Sequence, residues 1–480
     1  MSKSRLVSSL FVVAFCFAAA IASPAQILTT LYNFDAFHGS SPSSPLVQGL
    51  NGNLYGATFY GGSSGDGTVY EITPSGTLTS LHSFCSQPGC TGGGNPGDLI
   101  LGRDGNFYGV TMIGGANSDP NDCPFGCGTV FKSTPGGSVT TLYNFCAQKS
   151  CADGFMPNGL VQGADGNFYG TTDPVSQSFC PTCIGSIFKL TPQGVLTTLY
   201  NFCSQTNCAD GQYPRPGLIQ ASNGNFYGTT LTGVIFEITS AGKYSILYTF
   251  KYGSSYPDSL IQGSNGDLYG TAVFGGAYHG GSVFRITLGG KFFNLYSFCP
   301  QNGCADGLAP SGWLVQGTDG NLYGTTQQGG ANTNTNDCPT GCGTIFRLSS
   351  TGGFTKLYDF CSLANCADGF APLHGMMQGT NGKLYGSTAS IEGTLFSFDM
   401  GLSPYIEAQT NFGNVGRQIA ILGNNLSSTT AVSFNGTSAT FQILSDTLVR
   451  ATVPAGATTG AIQLTNSSGP LSTKVPFIVR

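Results

Sequence analysis

Charged residues are scarce in this sequence. They make up 9% of its 480 residues, against about a quarter in an average soluble protein. The 18 basic residues are scattered and the net charge is -5, so no basic stripe is present to hold a phosphate backbone, and nucleic acid is not expected as a partner. The sequence has four histidines, four glutamates and one tryptophan, and it contains no zinc-site, phosphate-loop or nucleophile-elbow motif.

Long apolar runs are also rare, and the clearest one lies at the N-terminus. Residues 6–22 are mostly apolar, follow Lys3 and Arg5, and end in small residues, which predicts a secretory signal peptide over residues 1–25. No later segment has the roughly 18 apolar residues that a membrane-spanning helix requires. We therefore expect a secreted or extracytoplasmic protein of the cell surface, with no membrane span after signal removal.

Cysteine, by contrast, is plentiful, and beyond Cys16 the cysteines occur as close local pairs. The pairs are Cys85 and Cys90, Cys123 and Cys127, Cys146 and Cys151, Cys180 and Cys183, Cys203 and Cys208, Cys299 and Cys304, Cys338 and Cys342, and Cys361 and Cys366. Two equivalent loops, at residues 35–42 and 251–257, lack both cysteines together. Because a structural metal site needs four converging ligands, local disulfides in an oxidising compartment are the preferred interpretation.

The sequence is rich in glycine and repeats one phrase seven times. Residues 104–111 read "DGNFYGVT", and the tyrosine of each copy is Tyr55, Tyr108, Tyr169, Tyr227, Tyr269, Tyr323 or Tyr385. A unit of about 40 residues with insertions is typical of a four-stranded propeller blade. Asn-Gly and Asp-Gly favour tight hairpin turns. We expect the tyrosine to lie in the core and the following glycine to let the next blade approach closely.

A second phrase, "LTTLYNF" and its variants, indicates how the repeats close. It occurs seven times, but the first copy, residues 28–34, precedes any complete unit, and the last unit, residues 376–399, lacks it. The N-terminal strand can complete the final unit. The sequence therefore predicts an all-β chain whose residues 26–400 form a seven-bladed β-propeller closed by the N-terminal strand, with residues 28–34 beside residues 393–399.

Together "DGNLYGTT", "GGA…GTVF" and "LTTLYNF" resemble the GloVer repeats of secreted bacterial choice-of-anchor proteins, over residues 28 to about 399. They are more loosely similar to the "DGNLW-G-T" repeats of two-component sensor propellers. The resemblance implies the propeller fold and supplies no defined activity.

Residues 403–480 drop the tyrosine repeat and contain no cysteine. Their short alternating strands predict a small β-sandwich. "ILGNNL", "VSFNGTSA", "ATVPAGATTGAIQLTN" and "FIV" resemble an IPT/TIG domain, which implies an immunoglobulin-like module acting as a spacer or contact surface.

Candidate binding residues are few. Asp153, Asp210, Asp306 and Asp368 share the motif "CADG" or its equivalent, and they either brace disulfide loops or form an acidic rim that binds a cation or a hydroxylated ligand. Trp313 is the candidate aromatic platform, with burial as the alternative. Asp119, Asp122 and Asp337 offer oxygen ligands to calcium, but they lack a regular Asp-x-Asp spacing. No cofactor and no metal site is therefore assigned, with calcium as the alternative.

Two further repeat positions carry polar residues. Six glutamines end the first strand of their units, where they either line the axial channel or satisfy their own loops: Gln48, Gln162, Gln220, Gln262, Gln316 and Gln378. One third-strand position changes sign between units, which indicates a solvated or loosely paired site: Glu71, Lys132, Lys189, Glu237, Arg285, Arg347 and Ser397.

These observations favour an exported, non-catalytic binding or structural protein whose partner is a glycan or a protein. The alternative is a polysaccharide-acting hydrolase or lyase. It requires an Asp or Glu pair, together with a Tyr, His or Arg, to meet at the channel mouth from non-equivalent positions.

Overall fold

The computed structural model describes residues 26–120, 122–172, 185–251, 256–301, 303–389 and 392–480. These residues form β-strands and a few short 3-10 turns, so the chain is all-β as predicted. The turns are η1 (Pro88–Cys90), η2 (Lys149–Cys151), η3 (Thr206–Cys208), η4 (Ala364–Cys366) and η5 (Leu426–Ser428). Within the described residues, no helix has the length and apolar character needed to cross a bilayer. The predicted signal peptide, Cys180 and Cys183 lie outside the described residues.

The first seven sheets are antiparallel and are numbered here in chain order. Sheet 1 contains β2 (Ser40–Pro42), β3 (Val47–Gln48), β4 (Leu54–Tyr60), β5 (Thr68–Ile72) and β6 (Leu78–Ser83). Sheet 2 contains β7 (Gly94–Leu101), β8 (Phe107–Ile113), β9 (Thr129–Ser133) and β10 (Val139–Asn144). Sheet 3 contains β11 (Pro157–Gln162), β12 (Phe168–Thr172), β13 (Ser186–Leu190) and β14 (Leu196–Asn201).

The remaining four follow the same order. Sheet 4 contains β15 (Ile219–Gln220), β16 (Phe226–Thr229), β17 (Val234–Ile238) and β18 (Tyr244–Thr249). Sheet 5 contains β19 (Pro257–Gln262), β20 (Leu268–Ala272), β21 (Ser282–Ile286) and β22 (Phe292–Ser297). Sheet 6 contains β23 (Leu308–Gln316), β24 (Leu322–Gln328), β25 (Thr344–Leu348) and β26 (Phe354–Asp359). Sheet 7 contains β27 (Met376–Gln378), β28 (Leu384–Thr388), β29 (Thr394–Asp399) and β1 (Ile27–Asn33).

The pairing of β1 confirms that the N-terminal strand completes the last sheet. It runs antiparallel to β29, with Leu28 opposite Phe398 and Asn33 opposite Thr394. Sheet 7 also bonds to sheet 1, because the Ser41 amide donates to the Glu392 carbonyl at 3.1 Å. Successive sheets contact one another from sheet 1 to sheet 7, and sheet 7 contacts sheet 1. We call this cyclic arrangement of the seven sheets the ring.

The Tyr-Gly pair is explained by packing within each sheet. The repeated tyrosines are buried, as expected. The glycine has a different role from the predicted one. A Cβ atom on Gly109 would lie 2.7 Å from the Phe131 ring of β9 and 2.8 Å from Leu99 of β7. Glycine at this position thus admits an aromatic ring from the third strand of its own sheet, whereas we had expected it to admit the neighbouring blade.

The third-strand charges are matched by the hairpin turns. Lys132 pairs with Asp104 at 2.8 Å, whereas Glu237 accepts a hydrogen bond from Asn225 Nδ2 at 2.6 Å and one from the Tyr227 hydroxyl. An acidic turn therefore accompanies a basic third-strand residue, and an Asn turn accompanies an acidic one. The sign change along the sequence reflects pairing across one hairpin.

The six glutamines do two things at once. Gln162 Nε2 donates to the Gly166 carbonyl of its own turn at 3.0 Å, and its Oε1 accepts from the Arg103 amide of sheet 2 at 3.0 Å. Gln48 joins sheet 1 to sheet 7 in the same way, because its Oε1 accepts from the Thr380 amide at 3.0 Å. The predicted hydrogen bond to the glutamine's own turn is therefore combined with a second contact to the preceding sheet. We call the end of the ring that carries them the glutamine face.

The described disulfides are local, as predicted. They join Cys85 and Cys90, Cys123 and Cys127, Cys146 and Cys151, Cys203 and Cys208, Cys299 and Cys304, Cys338 and Cys342, and Cys361 and Cys366. Because each closes a ring of a few residues, each stabilises a loop and leaves the strand pairing unaffected.

The C-terminal residues form two further antiparallel sheets and a short parallel pair around one core. The first sheet contains β30 (Glu407–Ala408), β32 (Gln418–Leu422), β36 (Leu448–Thr452) and β35 (Phe441–Ser445). The second contains β34 (Thr437–Ser438), β33 (Ala431–Phe434), β37 (Ile462–Asn466) and β38 (Gly469–Ser472). The pair is β31 (Phe412–Gly413) and β39 (Ile478–Val479). Ile421, Phe434 and Val449 are buried in the core that they share.

This C-terminal region packs on the glutamine face. The Tyr405 hydroxyl donates to the Gln378 carbonyl at 2.7 Å, and Gln409 Nε2 donates to the Gly102 carbonyl at 3.0 Å. Tyr405 is almost completely buried. One end of the ring is thus covered, and the opposite end carries the cavity described below.

Candidate functional site

A cavity of about 630 Å³ lies at the centre of the ring, at the end opposite the glutamine face. All seven sheets contribute to its wall through the start of their first strands. One lining residue from each sheet, in order, is Ser43, Asp98, Asn158, Arg215, Asp258, Trp313 and His374. The volume is within the range of about 300–1,000 Å³ typical of small-molecule sites.

Each sheet reaches the cavity through a short bulge between a proline and a Leu or Met. In sheet 2, Pro96 pairs with Thr111 and Leu99 pairs with Gly109, so two residues face a single residue of β8. We call these insertions the cavity segments: residues 43–45, 97–98, 158–159, 215–217, 258–259, 311–313 and 373–375. Bulges redirect side chains and are frequent beside active sites. Here one to three residues of each cavity segment line the cavity.

The cavity segments break the repeat. The residue immediately before the Leu or Met of each first strand varies from unit to unit: Pro45, Asp98, Gly159, Gly217, Ser259, Trp313 and Gly375. The residue before that also varies: Ser44, Gly97, Asn158, Pro216, Asp258, Gly312 and His374. Sequence reasoning missed Asp98, Asp258, Arg215 and His374 as a site. The available signal for Asp98, Asp258 and His374 was that these two positions vary between units whose other positions repeat, and Arg215 lies one residue before them.

Asp258 is held in a fixed orientation by two donors. Its Oδ1 accepts hydrogen bonds from Arg215 Nη2 at 2.9 Å and Nε at 3.2 Å, and its Oδ2 accepts one from the Gly312 amide at 2.9 Å. The Asp258 side chain is 13% exposed. The guanidinium therefore balances the charge of this carboxylate, and the donors come from the sheets on either side.

Asp98 is in the opposite electrostatic situation. Its residue is 8% exposed, and among the described residues no side chain donates a hydrogen bond to its carboxyl group. Burial, reinforced by the negative charge of Asp258, raises the pKa of Asp98 to about 7. Two carboxyl groups in one cavity thus differ in environment, and Asp98 holds a proton under conditions in which Asp258 is paired with a cation.

His374 adds a neutral imidazole to the same wall. Burial lowers the pKa of His374 to about 4, and the nearby charge of Asp258 only partly opposes this effect. The ring is therefore uncharged near neutral pH, with one nitrogen able to donate and the other able to accept a hydrogen bond.

Trp313, predicted as an aromatic platform or a buried residue, is half-buried on the cavity wall. Its indole reaches from sheet 6 to the backbone of sheet 4. A Cβ atom on Gly217 would lie 3.1 Å from the indole Cζ2. Glycine at position 217 therefore leaves the space that the indole occupies.

The four predicted aspartates lie in separate loops and do not line this cavity. Asp153, Asp210 and Asp368 have no exposed surface, and Asp306 is partly buried. In each loop a tyrosine hydroxyl and backbone amides donate to the carboxylate, as Tyr143 and the amides of Ala147 and Gln148 do to Asp153. This geometry braces the disulfide loops. The acidic rim remains a prediction, and the proposal below does not use it.

The calcium alternative concerns two loops of different sheets. Asp119, Asp122 and the Cys151 sulfur place their ligand atoms within 4.8 Å of one another in sheet 2. Asp337 belongs to sheet 6, and among the described residues it joins no such group. The three aspartates therefore do not form one calcium site.

The family is shown by its repeat model. The model described as the Gloeobacter/Verrucomicrobia repeat matches residues 18–233 and 230–443. This chain belongs to the Gloeobacter/Verrucomicrobia repeat family. No curated protein sequence matches it.

Solved structures share the fold at low sequence identity. A streptogramin B lyase is 17% identical with a TM-score of 0.54, over 80% of this chain and 99% of that chain. Virginiamycin B lyase from Staphylococcus aureus is 15% identical with a TM-score of 0.52, over 78% and 99%. The extracellular domain of a hybrid two-component system from B. thetaiotaomicron is 11% identical with a TM-score of 0.51, over 95% and 59%. These similarities support a propeller-like fold and no particular activity.

Proposed function

We propose that the seven sheets are the blades of a β-propeller closed by β1, and that residues 403–480 form an immunoglobulin-like module of the IPT/TIG type. We further propose that the chain is exported and works at the cell surface or outside the cell. The local disulfides and the N-terminal sequence support export.

We infer that the central cavity binds a saccharide and hydrolyses a glycosidic bond. The observation that carries this proposal is the pair of aspartates with opposite environments, Asp98 and Asp258, in one cavity. Protonated Asp98 donates its proton to the leaving-group oxygen as the bond to the anomeric carbon breaks. Asp258 accepts a proton from a water molecule as the water oxygen bonds to that carbon, so the new hydroxyl group comes from water, and the proton then returns through solvent to Asp98. This reverses the preference drawn from sequence, because non-equivalent residues converge as the enzyme hypothesis required.

The charges of the cavity favour hydrolysis of a neutral sugar over elimination from an acidic one. Elimination from a uronate needs a cation that neutralises the substrate carboxylate. Arg215 is the cation among the described lining residues, and it is already paired with Asp258 at 2.9 Å. Near neutral pH, His374 adds no charge. The carboxylate of an anionic sugar would therefore find no free cation among the described lining residues.

Binding without turnover is the second candidate function. Trp313 and Tyr60 line the cavity and offer aromatic faces on which a sugar ring can stack. This hypothesis needs no proton transfer. It predicts that Asp98→Asn binds the saccharide as the unmodified protein does and that neither protein cleaves it.

The test is turnover of neutral oligosaccharides by the mature protein and two variants. Asp98→Asn and Asp258→Asn are expected to lower the hydrolysis rate by about 10²–10⁴-fold. Asp165→Asn, on the glutamine face, is the matched control and is expected to keep the rate. Fluorescence of Trp313 reports binding in each protein. Binding with no hydrolysis by the unmodified protein would leave the non-catalytic hypothesis, and neither binding nor hydrolysis would reject both.

A further inference from the structure

We propose that the cavity takes the end of a saccharide chain and acts on terminal units only. This inference rests on the proposed function and adds the class of substrate. It follows from the walls of the site, because a chain bound in its middle needs two exits, and the described residues bridge every lateral junction and cover the end opposite the mouth.

The lateral wall is continuous. Hydrogen bonds between neighbouring cavity segments join sheet 1 to sheet 2 through Ser43 Oγ and the Pro96 carbonyl at 2.8 Å, and sheet 3 to sheet 4 through Asn158 Nδ2 and the Pro214 carbonyl at 2.8 Å. The other junctions are bridged by Met156 to Cys127, Arg215 to Asp258, Gly312 to Asp258, Ser311 to Pro372, and Ser41 to Glu392. Each of the seven junctions is therefore bridged by at least one hydrogen bond between described residues.

The base of the cavity is narrowed by Trp313 and the backbone around it. The indole extends to Gly217, as described above. Gly312 and Gly375 let sheets 6 and 7 approach so closely that a Cβ atom on either residue would collide with the backbone of the other segment. Trp313 and Gly375 also form an isolated parallel bridge. A chain entering from the mouth therefore meets the indole and these glycine backbones.

Beyond this base, the C-terminal region covers the ring. Thr447 Oγ1 donates to the Leu50 carbonyl at 3.1 Å, and Asn424 Nδ2 donates to Thr380 Oγ1 at 2.6 Å. Lys474 Nζ lies 3.4 Å from the Gln316 carbonyl. Two smaller cavities of about 250 and 300 Å³ lie at this end, and their walls include residues 407–409 and 474–475. Among the described residues, the C-terminal region thus covers the end opposite the mouth.

The mouth, in contrast, is formed by the ends of the second strands. Phe59, Met112, Val273 and Gln327 line it, and Tyr60 beside Phe59 is 52% exposed. A linear saccharide can present its terminus here while the rest of the chain stays in solvent.

The experiment compares linear and cyclic glucans of the same linkage, with the unmodified protein. Maltooligosaccharides are paired with cyclodextrins, and linear β-glucans with cyclic β-glucans. Trp313 fluorescence measures binding, and chromatography of the products measures cleavage. The expected result is that the linear member of one pair binds and releases short sugars from the first time point, while its cyclic partner, which has no end, neither binds nor is cut.

Two results would contradict the inference in different ways. Equal binding or cleavage of the cyclic partner, or a rapid fall in the length of a long polymer, would show internal action and leave the proposed function standing. Failure of both members of every neutral pair would overturn the proposed function, and this inference with it.

Discussion

The two ends of the ring use the same repeat in opposite ways. At the glutamine face the units are nearly alike. Five of the six glutamines make the same two kinds of contact, as Gln162 does with Gly166 and Arg103, while Gln378 reaches sheet 6 through Thr318 Oγ1. At the cavity the units differ at two successive positions, and the residues there include two aspartates, a histidine and a tryptophan. A position that repeats therefore maintains the ring, and a position that departs from the repeat is available for chemistry.

The energetic difference follows this division in part. Many residues at repeating positions are hydrogen-bonded or ion-paired, although among the described residues the Tyr70 and Ser387 hydroxyls and Arg285 Nε are buried without a hydrogen-bond partner. Some residues near the cavity also have unfavourable environments. Asp98 has its pKa raised by burial, and the Ser44 hydroxyl is buried with no hydrogen-bond partner among the described residues. Unfavourable environments of this kind concentrate at functional sites. The predictions below test whether cavity residues reduce stability while repeating residues increase it.

The largest expected effect concerns Asp98 and pH. Between its ordinary pKa of 3.8 and the folded-state value of about 7, the folded protein keeps a proton that the unfolded chain releases. The free energy of unfolding therefore falls as pH rises through this window, by about 2–4 kcal/mol. Asp98→Asn should remove this slope and raise stability above neutral pH, as measured by urea unfolding across the window.

Asp104→Asn is the control for that experiment, with the opposite sign. The Lys132 ammonium and neighbouring hydrogen bonds outweigh burial and lower the pKa of Asp104 to about 2. Its contribution is present above the ordinary pKa and is lost as pH falls, so the variant should be less stable near neutral pH. Destabilisation by Asp98→Asn in alkaline buffer would contradict the proposed environment of Asp98.

The second effect compares two glycines of sheet 2. Gly109→Ala places a Cβ atom against Phe131 and Leu99 and should lower the free energy of unfolding by about 1–3 kcal/mol. Gly97→Ala, in the cavity segment, places its Cβ atom 3.4 Å from Val110, an ordinary contact, and should be tolerated. Thermal unfolding of both variants measures the difference. A larger loss for Gly97→Ala would contradict the division between the two ends.

A smaller effect is expected from the links between sheets. Gln262→Ala removes the bond to the Gly266 carbonyl at 2.8 Å and the one from the Ser222 amide at 2.9 Å. Because water can replace both partners at this partly exposed site, the loss should be about 1 kcal/mol. Gln327→Ala, a cavity residue, is the control in the same urea titration and should change stability less. Equal losses of unfolding free energy in the two variants would contradict the distinction between repeating residues and cavity residues.

The smallest effect concerns charge matching across a hairpin. Lys189→Glu places a second negative charge near Asp165, which now lies 3.5 Å from the Lys189 amine, and should cost about 0.5 kcal/mol. Adding Asp165→Asn should restore stability, because it reproduces the combination in sheet 4, where Asn223 occupies the position of Asp165 and Glu237 that of Lys189. The double-mutant cycle, measured in low salt, gives the coupling, and additive effects would show that the pairing is incidental.

Much of the ring could be predicted from the sequence because its determinants are local and repeated. The Asn-Gly and Asp-Gly turns, the paired cysteines and the displaced "LTTLYNF" strand each act over short distances or by counting. The prediction that the glycine after Tyr108 contacts the neighbouring blade was wrong. The sequence does not indicate that the Phe131 ring lies over Gly109 within the same sheet.

The candidate site was harder to predict, because its members lie far apart in sequence. Asp98 and Asp258 come from sheets 2 and 5 and meet only when the ring has closed. Each was also inconspicuous alone, since most other aspartates occupy turns or disulfide loops. Of the predicted binding residues, Trp313 is at the cavity. The signal for the site lies in the positions that vary between otherwise equivalent units, whereas the repeating positions specify the sheets.

The position of β1 has a consequence for how the chain reaches its final state. During synthesis, the strand that is made first must wait for β29, its partner more than three hundred residues later. Such distant pairing is slow, because the entropy of closing the long intervening loop opposes it. Until that moment sheet 7 exposes an open edge. Assembly should therefore proceed sheet by sheet, with a final closing step that creates the finished cavity.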